Sequence, residues 1–485
     1  MLFYLSVVLL VAAVLGGGGT HQGFIADSIL QLIATPLLGI ALWPAFSPKH
    51  PRRKNARLAL YVCACAALIP LIQLCPLPFN HAAGLRALLS GAPENVPVTL
   101  EWNRLTITPE ATWAAGLSLI VPLSIFAAGV QLRHDERLKV LYILTILGAL
   151  SLLLGILQVL QGPESALRFY EITNSSEAVG FFANRNHFAT LLNVTLVLAA
   201  LWLRIAAEET VRQGRLEGSG VMWLAAAVAF VIADAAGLAL ARSRAGVIIA
   251  ILALLCIAWT IFRQSDSAKK NTHHRGSNNI SLAAALFALL FAAFVGLGGV
   301  LARFESDPLA GARINLSAAT LNTALRTLPF GTGLGSFPRV YAAVESKADA
   351  SSNFANRAHN DAAELFLEAG IPGATLLAVF LFWYLGRCYR IWADGEPHPP
   401  ASPSALDATS CLIVGLLLLH STVDYPLRTA ALVSLFSFFC SVLAAPARLE
   451  TGARREKPRR GESLQPKPPE AWQGDLAVWP DSWQK

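Results

Sequence analysis

Apolar residues fall in long unbroken runs, near 2–16, 24–46, 57–75, 112–131, 138–160, 187–204, 221–241, 245–262, 280–301, 372–391, 407–424 and 429–446. Most approach the roughly 20 residues that a helix needs to cross the hydrocarbon core of a bilayer. They do not alternate as the shorter strands of a membrane barrel do, and a helix satisfies its own backbone in lipid. The pattern predicts an all-α polytopic membrane protein with about twelve transmembrane helices. The first run lacks the basic residues that precede the apolar stretch of a secretory signal. It reads as a membrane helix in preference to a cleaved signal.

Two long segments, 76–111 and 302–371, interrupt the runs, and a tail follows at 447–485. The tail is basic and rich in Pro, a composition that predicts disorder and leaves 1–446 as the membrane domain. Within 302–371, Ile314, Ala318, Leu321, Leu325 and Leu328 recur at helical spacing. They predict an amphipathic helix over 313–328, lying on the membrane or on the bundle. Gly331-Thr-Gly-Leu-Gly335 is a glycine turn without the strand and helix context of a dinucleotide fingerprint. Further on, Asn360 or Asp361 is placed to cap a short helix, with Glu364 at the capping-box position for Asp361. Gly370 and Pro372 are expected to end that helix. His359 then stands at its start.

Composition agrees with the pattern. The chain of 485 residues is 54% hydrophobic and 14% charged, against about 25% charged in an average soluble chain. Its mean hydropathy is +0.51. The net charge of +7 is not a nucleic-acid footprint, because most of the 38 lysines and arginines sit in alternate loops and in the tail. That alternation puts the N-terminus and the tail in the cytoplasm by the positive-inside rule. The segments 184–187, 242–244, 302–371 and 420–428 then share the outer face. None of the seven cysteines lies in 302–371, and most fall within apolar runs, so neither a disulfide framework nor a cysteine metal site is predicted.

The polar residues on that outer face carry the candidate chemistry. Arg185 is flanked by Asn184, Asn186 and His187 at the mouth of a membrane run. A guanidinium offers a planar fork that fits phosphate oxygens, whereas a snorkelling arginine at a helix end is the plainer alternative. Arg242 and Arg244 sit in a short turn and suit a second phosphate contact or simple anchoring. His359 suits a general base, since an imidazole is largely neutral near neutral pH. A structural histidine bonded to a loop carbonyl is its alternative. Asn360, Asp361 and Glu364 fit either helix capping or support of His359. His420 and Asp424, four residues apart, are ionisable groups at the edge of a membrane run and hence functional candidates. An Asp424–Arg428 pair fixing the turn is the competing reading.

At these residues the chain resembles the O-antigen ligase and O-antigen polymerase superfamily of bacterial inner membranes. The matching pieces are Gly180-Phe-Phe-Ala-Asn-Arg-Asn-His-Phe188, Ser243-Arg-Ala-Gly246, Gly331-Thr-Gly-Leu-Gly-Ser-Phe337, Ala358-His-Asn-Asp361 with Glu368-Ala-Gly-Ile-Pro-Gly373, and His420-Ser-Thr-Val-Asp-Tyr-Pro-Leu-Arg428. The resemblance spans roughly 180–445, and it is the order of the motifs that is specific. It implies a glycosyltransferase C-like arrangement with one large helical periplasmic loop before the tenth membrane helix. It implies transfer of a glycan from undecaprenyl diphosphate to a hydroxyl of a second lipid-linked glycan, of lipid A–core or of a protein serine. The residues themselves agree: arginines can neutralise the leaving diphosphate without metal or other cofactor, and attack from the face opposite it predicts inversion. By motif match His359 would be the base, and Arg185 and Arg244 would hold the diphosphate, with Arg242 a further candidate from its place in the same turn. Asp361-Ala-Ala-Glu364 departs from the pattern, having alanines where many members carry an aromatic and an aliphatic residue.

A different class, a polysaccharide or lipid transporter, would also have many helices with ionisable groups. Such proteins place polar residues near the bilayer midplane within internal repeats. Here the polar residues gather at one face, which favours an enzyme with lipid-linked substrates and no nucleic-acid partner.

Overall fold

A computed structural model describes residues 1–20, 25–76, 104–171, 173–213, 219–267, 308–345, 355–393, 399 and 401–445. The apolar run at 280–301, most of the segment 76–111 and the tail 447–485 lie outside the described residues.

Helices form where the apolar runs predict them. In chain order they are α1 (Leu2–Gly16), α2 (Ile25–Phe46), α3 (Arg53–Leu74), α4 (Pro109–Ser118), α5 (Ile120–Gly129), α6 (His134–Gln161) and α7 (Arg185–Gln213). There follow α8 (Ser219–Ala241), α9 (Arg244–Ser267), α10 (Pro308–Arg326), α11 (Phe337–Val344), α12 (Asp361–Ala393), α13 (Pro403–His420), a single 3-10 turn (Pro426–Arg428) and α14 (Ala430–Ala444). Among the described residues, 9 stretches are long and apolar enough to cross a membrane, with α4 and α5 joined as one, and α1 and α14 are shorter apolar helices beside them. The protein is an all-α polytopic membrane protein. Extended pairing among the described residues is limited to one bridge, Pro76 to Arg104.

The axis of the bundle is α7. Its membrane-length window is 83% buried, whereas that of α12 is 28% buried, which puts α12 at the edge with Val379, Phe382 and Leu385 facing outward. Small residues allow the close approach of neighbours to α7, since lipid supplies no hydrophobic drive between helices. A side chain at Gly148 of α6 would collide with Thr195 of α7. Helix α1 packs against α2, α5, α6 and α14 and buries Leu9, Leu10, Ala13 and Val14. The chain just beyond it is held as well: Gly17 O accepts from Ala431 N–H at 3.0 Å and Gly18 O from Ala183 N–H at 3.1 Å.

The extramembrane segment has a core of its own. Leu316, Ala324, Phe337, Val340, Tyr341, Ala358 and Leu367 cluster beneath α10 and α11. The expected helix over 313–328 is present as α10 but starts earlier, at Pro308, and it packs on α12. The ending expected at Gly370 and Pro372 is present as a break between two helical stretches that together make up α12. Gly370 takes φ 55°, ψ −142°, and helical backbone resumes at once and runs on to Ala393. A kink frees carbonyls that must find new donors. The glycine turn supplies them: Thr332 N–H donates to Leu367 O at 3.0 Å and Gly333 N–H to Glu368 O at 2.8 Å. Gln73 Nε2 of α3 adds a second bond to Glu368 O at 2.9 Å. The turn thus serves the backbone of α12, in keeping with its lack of nucleotide-binding context.

Candidate functional site

Side-chain caps set the start of α7. Asn184 Oδ1 accepts from Asn186 N–H at 2.8 Å, and Asn174 Oδ1 accepts from Arg185 N–H at 3.0 Å, satisfying donors that a helix N-terminus leaves open. Asn186, Thr190 and Asn193 then follow at helical spacing on one buried face of α7. The Asn186 amide donates to Asp424 Oδ2, and its Oδ1 accepts from the Ser243 hydroxyl at 2.8 Å. The Thr190 hydroxyl donates to Asn186 O at 2.8 Å. Its oxygen is therefore left to accept from His420 Nδ1–H, 2.8 Å away.

Asp424 is the junction of these groups. It is buried, and its Oδ1 accepts from His359 Nδ1 at 3.1 Å and from Tyr425 N–H at 2.9 Å. Because a carboxylate only accepts, Nδ1 carries the proton and Nε2 keeps its lone pair. The His359 side chain is 23% exposed, so its ring is reachable from outside while Asp424 is not. Its backbone is left-handed, with φ 53°. Such a conformation in a non-glycine residue persists only where the surroundings enforce it. Asn360 enforces it from the next position. Its Oδ1 caps α12 by accepting from Ala363 N–H at 3.0 Å, and its Nδ2 donates to Thr422 O at 3.0 Å. The Tyr425 ring lies between two imidazoles, edge to face with His359 at 4.9 Å and with His187 at 4.8 Å. Among the described residues, neither ring nitrogen of the fully buried His187 has a hydrogen-bond partner.

A second cluster lies behind the first turn of α12. Arg357 Nη1 meets Glu364 Oε1 at 3.0 Å, and Arg428 Nη1 meets Glu368 Oε2 at 2.9 Å. Arg428 also lies 3.5 Å from both Asp361 and Glu364. Burial alone would lower the pKa of Arg428, but Glu364, Glu368 and Asp361 together outweigh it and hold the guanidinium above its ordinary value. Two sequence expectations are corrected here. Glu364 does not close a capping box on Asp361; its Oε2 accepts from Ala358 N–H at 2.9 Å, tying down the residue before His359. The last turn is likewise held differently from the Asp424–Arg428 reading: Asp424 serves His359 and Asn186, and Arg428 serves three carboxylates.

The arginines sit next to the hydrogen-bonded chain. Arg185 precedes Asn186, and Arg244, the first residue of α9, follows Ser243. Sequence reasoning missed that Arg185 is paired, its Nη1 lying 2.5 Å from Glu177 Oε1. Arg242 is exposed at the turn with φ 49°. The structure thus brings Asn184, Asn186, His359, Asn360 and Asp424 together, joins His420 to them through Thr190, and collects Asp361, Glu364 and Arg428 in the cluster behind. A reachable imidazole nitrogen on a buried carboxylate, with guanidiniums at two adjoining helix starts, is equipped to remove a proton beside a site for anionic oxygens.

Residues 226–378 match the O-antigen ligase family model. The match covers less than half of the chain and supports the resemblance to the O-antigen ligase superfamily. The helices make the chain a multi-pass membrane protein, and the match supports an O-antigen ligase-like, glycan-transferring family for it. No curated protein matches the chain. The O-antigen ligase match includes Arg242, Arg244, His359 and the kink of α12, whereas Arg185, Asn186 and Asp424 lie outside it; Asn186 bonds to Ser243 and Asp424 to His359 within it.

Proposed function

We propose that the protein transfers a glycan from undecaprenyl diphosphate to an acceptor hydroxyl at the periplasmic face of a bacterial inner membrane. The observation that carries this reading is the His359–Asp424 pair, which leaves Nε2 as the acceptor of a proton. In the proposed step Nε2 takes the proton of the acceptor hydroxyl, and the oxygen attacks the anomeric carbon opposite the diphosphate. The bond from that carbon to the diphosphate oxygen breaks, and undecaprenyl diphosphate leaves with the electron pair. The buried Asp424 steadies the imidazolium that forms, as a preorganised charge does in other proton transfers. Arg185, Arg244 and Arg242 would stabilise the charge that builds on the leaving group, with the fork of Arg185 aligned by Glu177. The product has inverted configuration, and no metal takes part.

The test is turnover by purified protein in nanodiscs, given undecaprenyl-diphosphate-linked glycan and a hydroxyl acceptor in excess EDTA. We expect release of undecaprenyl diphosphate and a product with the opposite anomeric configuration. Movement of the donor across the bilayer without its consumption would support a transporter instead. Activity lost in EDTA and restored by Mg²⁺ would refute the metal-free chemistry.

A further inference from the structure

The loop between α6 and α7 carries the groups that hold Arg185, and α6 in turn holds the loop. Gln158 of α6 is fully buried. Its Nε2 donates to Leu167 O at 3.0 Å and to Gly180 O at 2.9 Å, and its Oε1 accepts from Val179 N–H at 3.1 Å and from Gly180 N–H at 2.9 Å. One side chain thus pins both limbs of the loop to a membrane helix, the first limb at the residue before Arg168.

Arg168 spans the loop from that anchored point. Its Nη1 donates to Asn174 O at 2.8 Å and to Glu177 O at 3.0 Å. The same two residues hold Arg185 with their side chains: Asn174 Oδ1 accepts from the Arg185 N–H, and Glu177 Oε1 accepts from the Arg185 guanidinium. The Ser176 hydroxyl donates to the other oxygen of Glu177 at 2.8 Å. One guanidinium therefore sets the backbone of two residues whose side chains set the other guanidinium. Arg168 Nε and Nη2 are buried, with no hydrogen-bond partner among the described residues, which turns this guanidinium inward to the loop. Charge points the same way. Burial lowers the pKa of Arg168, and the nearby Glu177 carboxylate opposes that fall. Arg168, Glu177 and Arg185 are two guanidiniums against one carboxylate, whereas Glu177 with Arg185 alone would be neutral.

We propose that Arg168 is a positioning residue for anion binding. It fixes the 174–177 stretch so that Arg185 presents its fork to the diphosphate oxygens, and it keeps that corner of the site net positive. The inference rests on the reading of Arg185 as a diphosphate ligand.

Two measurements on the full-length protein in nanodiscs test it, and neither needs turnover. The first is amide hydrogen exchange without substrate. Arg168→Ala should speed exchange over 174–187, where the Arg185 N–H loses its fixed acceptor, and leave 355–363 around His359 unchanged. The second is the affinity for undecaprenyl diphosphate. Arg168→Ala should weaken it about tenfold, the scale of one charge-assisted hydrogen bond. In an Arg185→Ala background the same change should weaken it no further, because the residue acts through Arg185. Arg168→Lys keeps the charge and loses the fork, so it should fall between the parent and Arg168→Ala in both measurements. Thermal melts identify a variant that has failed to fold, and the other then decides. Unchanged exchange over 174–187 in a folded variant would overturn the proposal. So would losses of affinity that add in the double variant. Full affinity in Arg185→Ala alone would refute the diphosphate reading of Arg185 instead, and the exchange measurement would still decide whether Arg168 holds the loop.

Discussion

Asp424 accepts from His359, Asn186 and its own neighbour Tyr425, so its charge is committed before any substrate arrives. Asp424→Asn keeps the size but offers an N–H to Nδ1, which favours the tautomer that lacks a base at Nε2. We expect kcat to fall by about 10²–10⁴-fold, the usual worth of a general base, while KM for the donor is unchanged. Steady-state kinetics on the purified variant check this. Glu368 belongs to stability. Its carboxylate holds Arg428 at 2.9 Å inside the fold, and removing one member of a buried pair costs about 3–5 kcal/mol. Glu368→Ala should therefore melt well below the parent protein in detergent, with Glu368→Gln between the two. His359, Asp424, Arg185 and Arg244 were legible in the sequence because an ionisable group at the edge of an apolar run stands out. Glu177 was not, because it lies in a polar loop where another acid carries no signal. Ser243 and Tyr425 lay within noticed motifs, but their partners, Asn186 and the two imidazoles, are set by the packing of distant segments.

The periodicity of the chain reveals helices but not what packs against their ends. Gly370 followed by Pro372 reads as a stop, and the structure breaks there between a short first stretch and the membrane stretch of α12. What the sequence does not show is that Gly331 lies against the break. A side chain at Gly331 would come within 2.6 Å of Leu367 O and 2.7 Å of Gly370 N, and both glycines have positive φ. Gly370→Ala should cost about 1–2 kcal/mol for the left-handed backbone alone, and more because the added carbon meets Pro329 O. A lowered melting temperature, with reduced turnover in whatever protein remains folded, is the expected outcome. An unchanged melt would show that the bend tolerates a side chain. At α7 a cap moves the boundary. The apolar run read from 187 marks the helix, and the Asn184 cap starts it two residues earlier, at Arg185.

Across the described residues, the order of the helices was legible because each apolar run must find a helix in lipid. The convergence of 184–187, 243, 359 and 424 was legible only as a shared face, deduced from the distribution of basic residues. Hydrogen bonds now join those segments at one end of the bundle. The orientation of that end has its own test. Alkaline phosphatase fused after Arg326 should be active and fused after Arg133 inactive, and the reverse pattern would turn the site towards the cytoplasm. The central claim, that His359 on Asp424 is the base for glycan transfer, is tested most directly by His359→Asn. Asparagine tolerates the left-handed backbone and can still donate to Asp424, but it cannot take up a proton. The account predicts a folded, membrane-inserted variant with glycan transfer reduced by about 10²–10⁴-fold. Near-normal transfer by that variant would contradict it and leave His359 a structural residue.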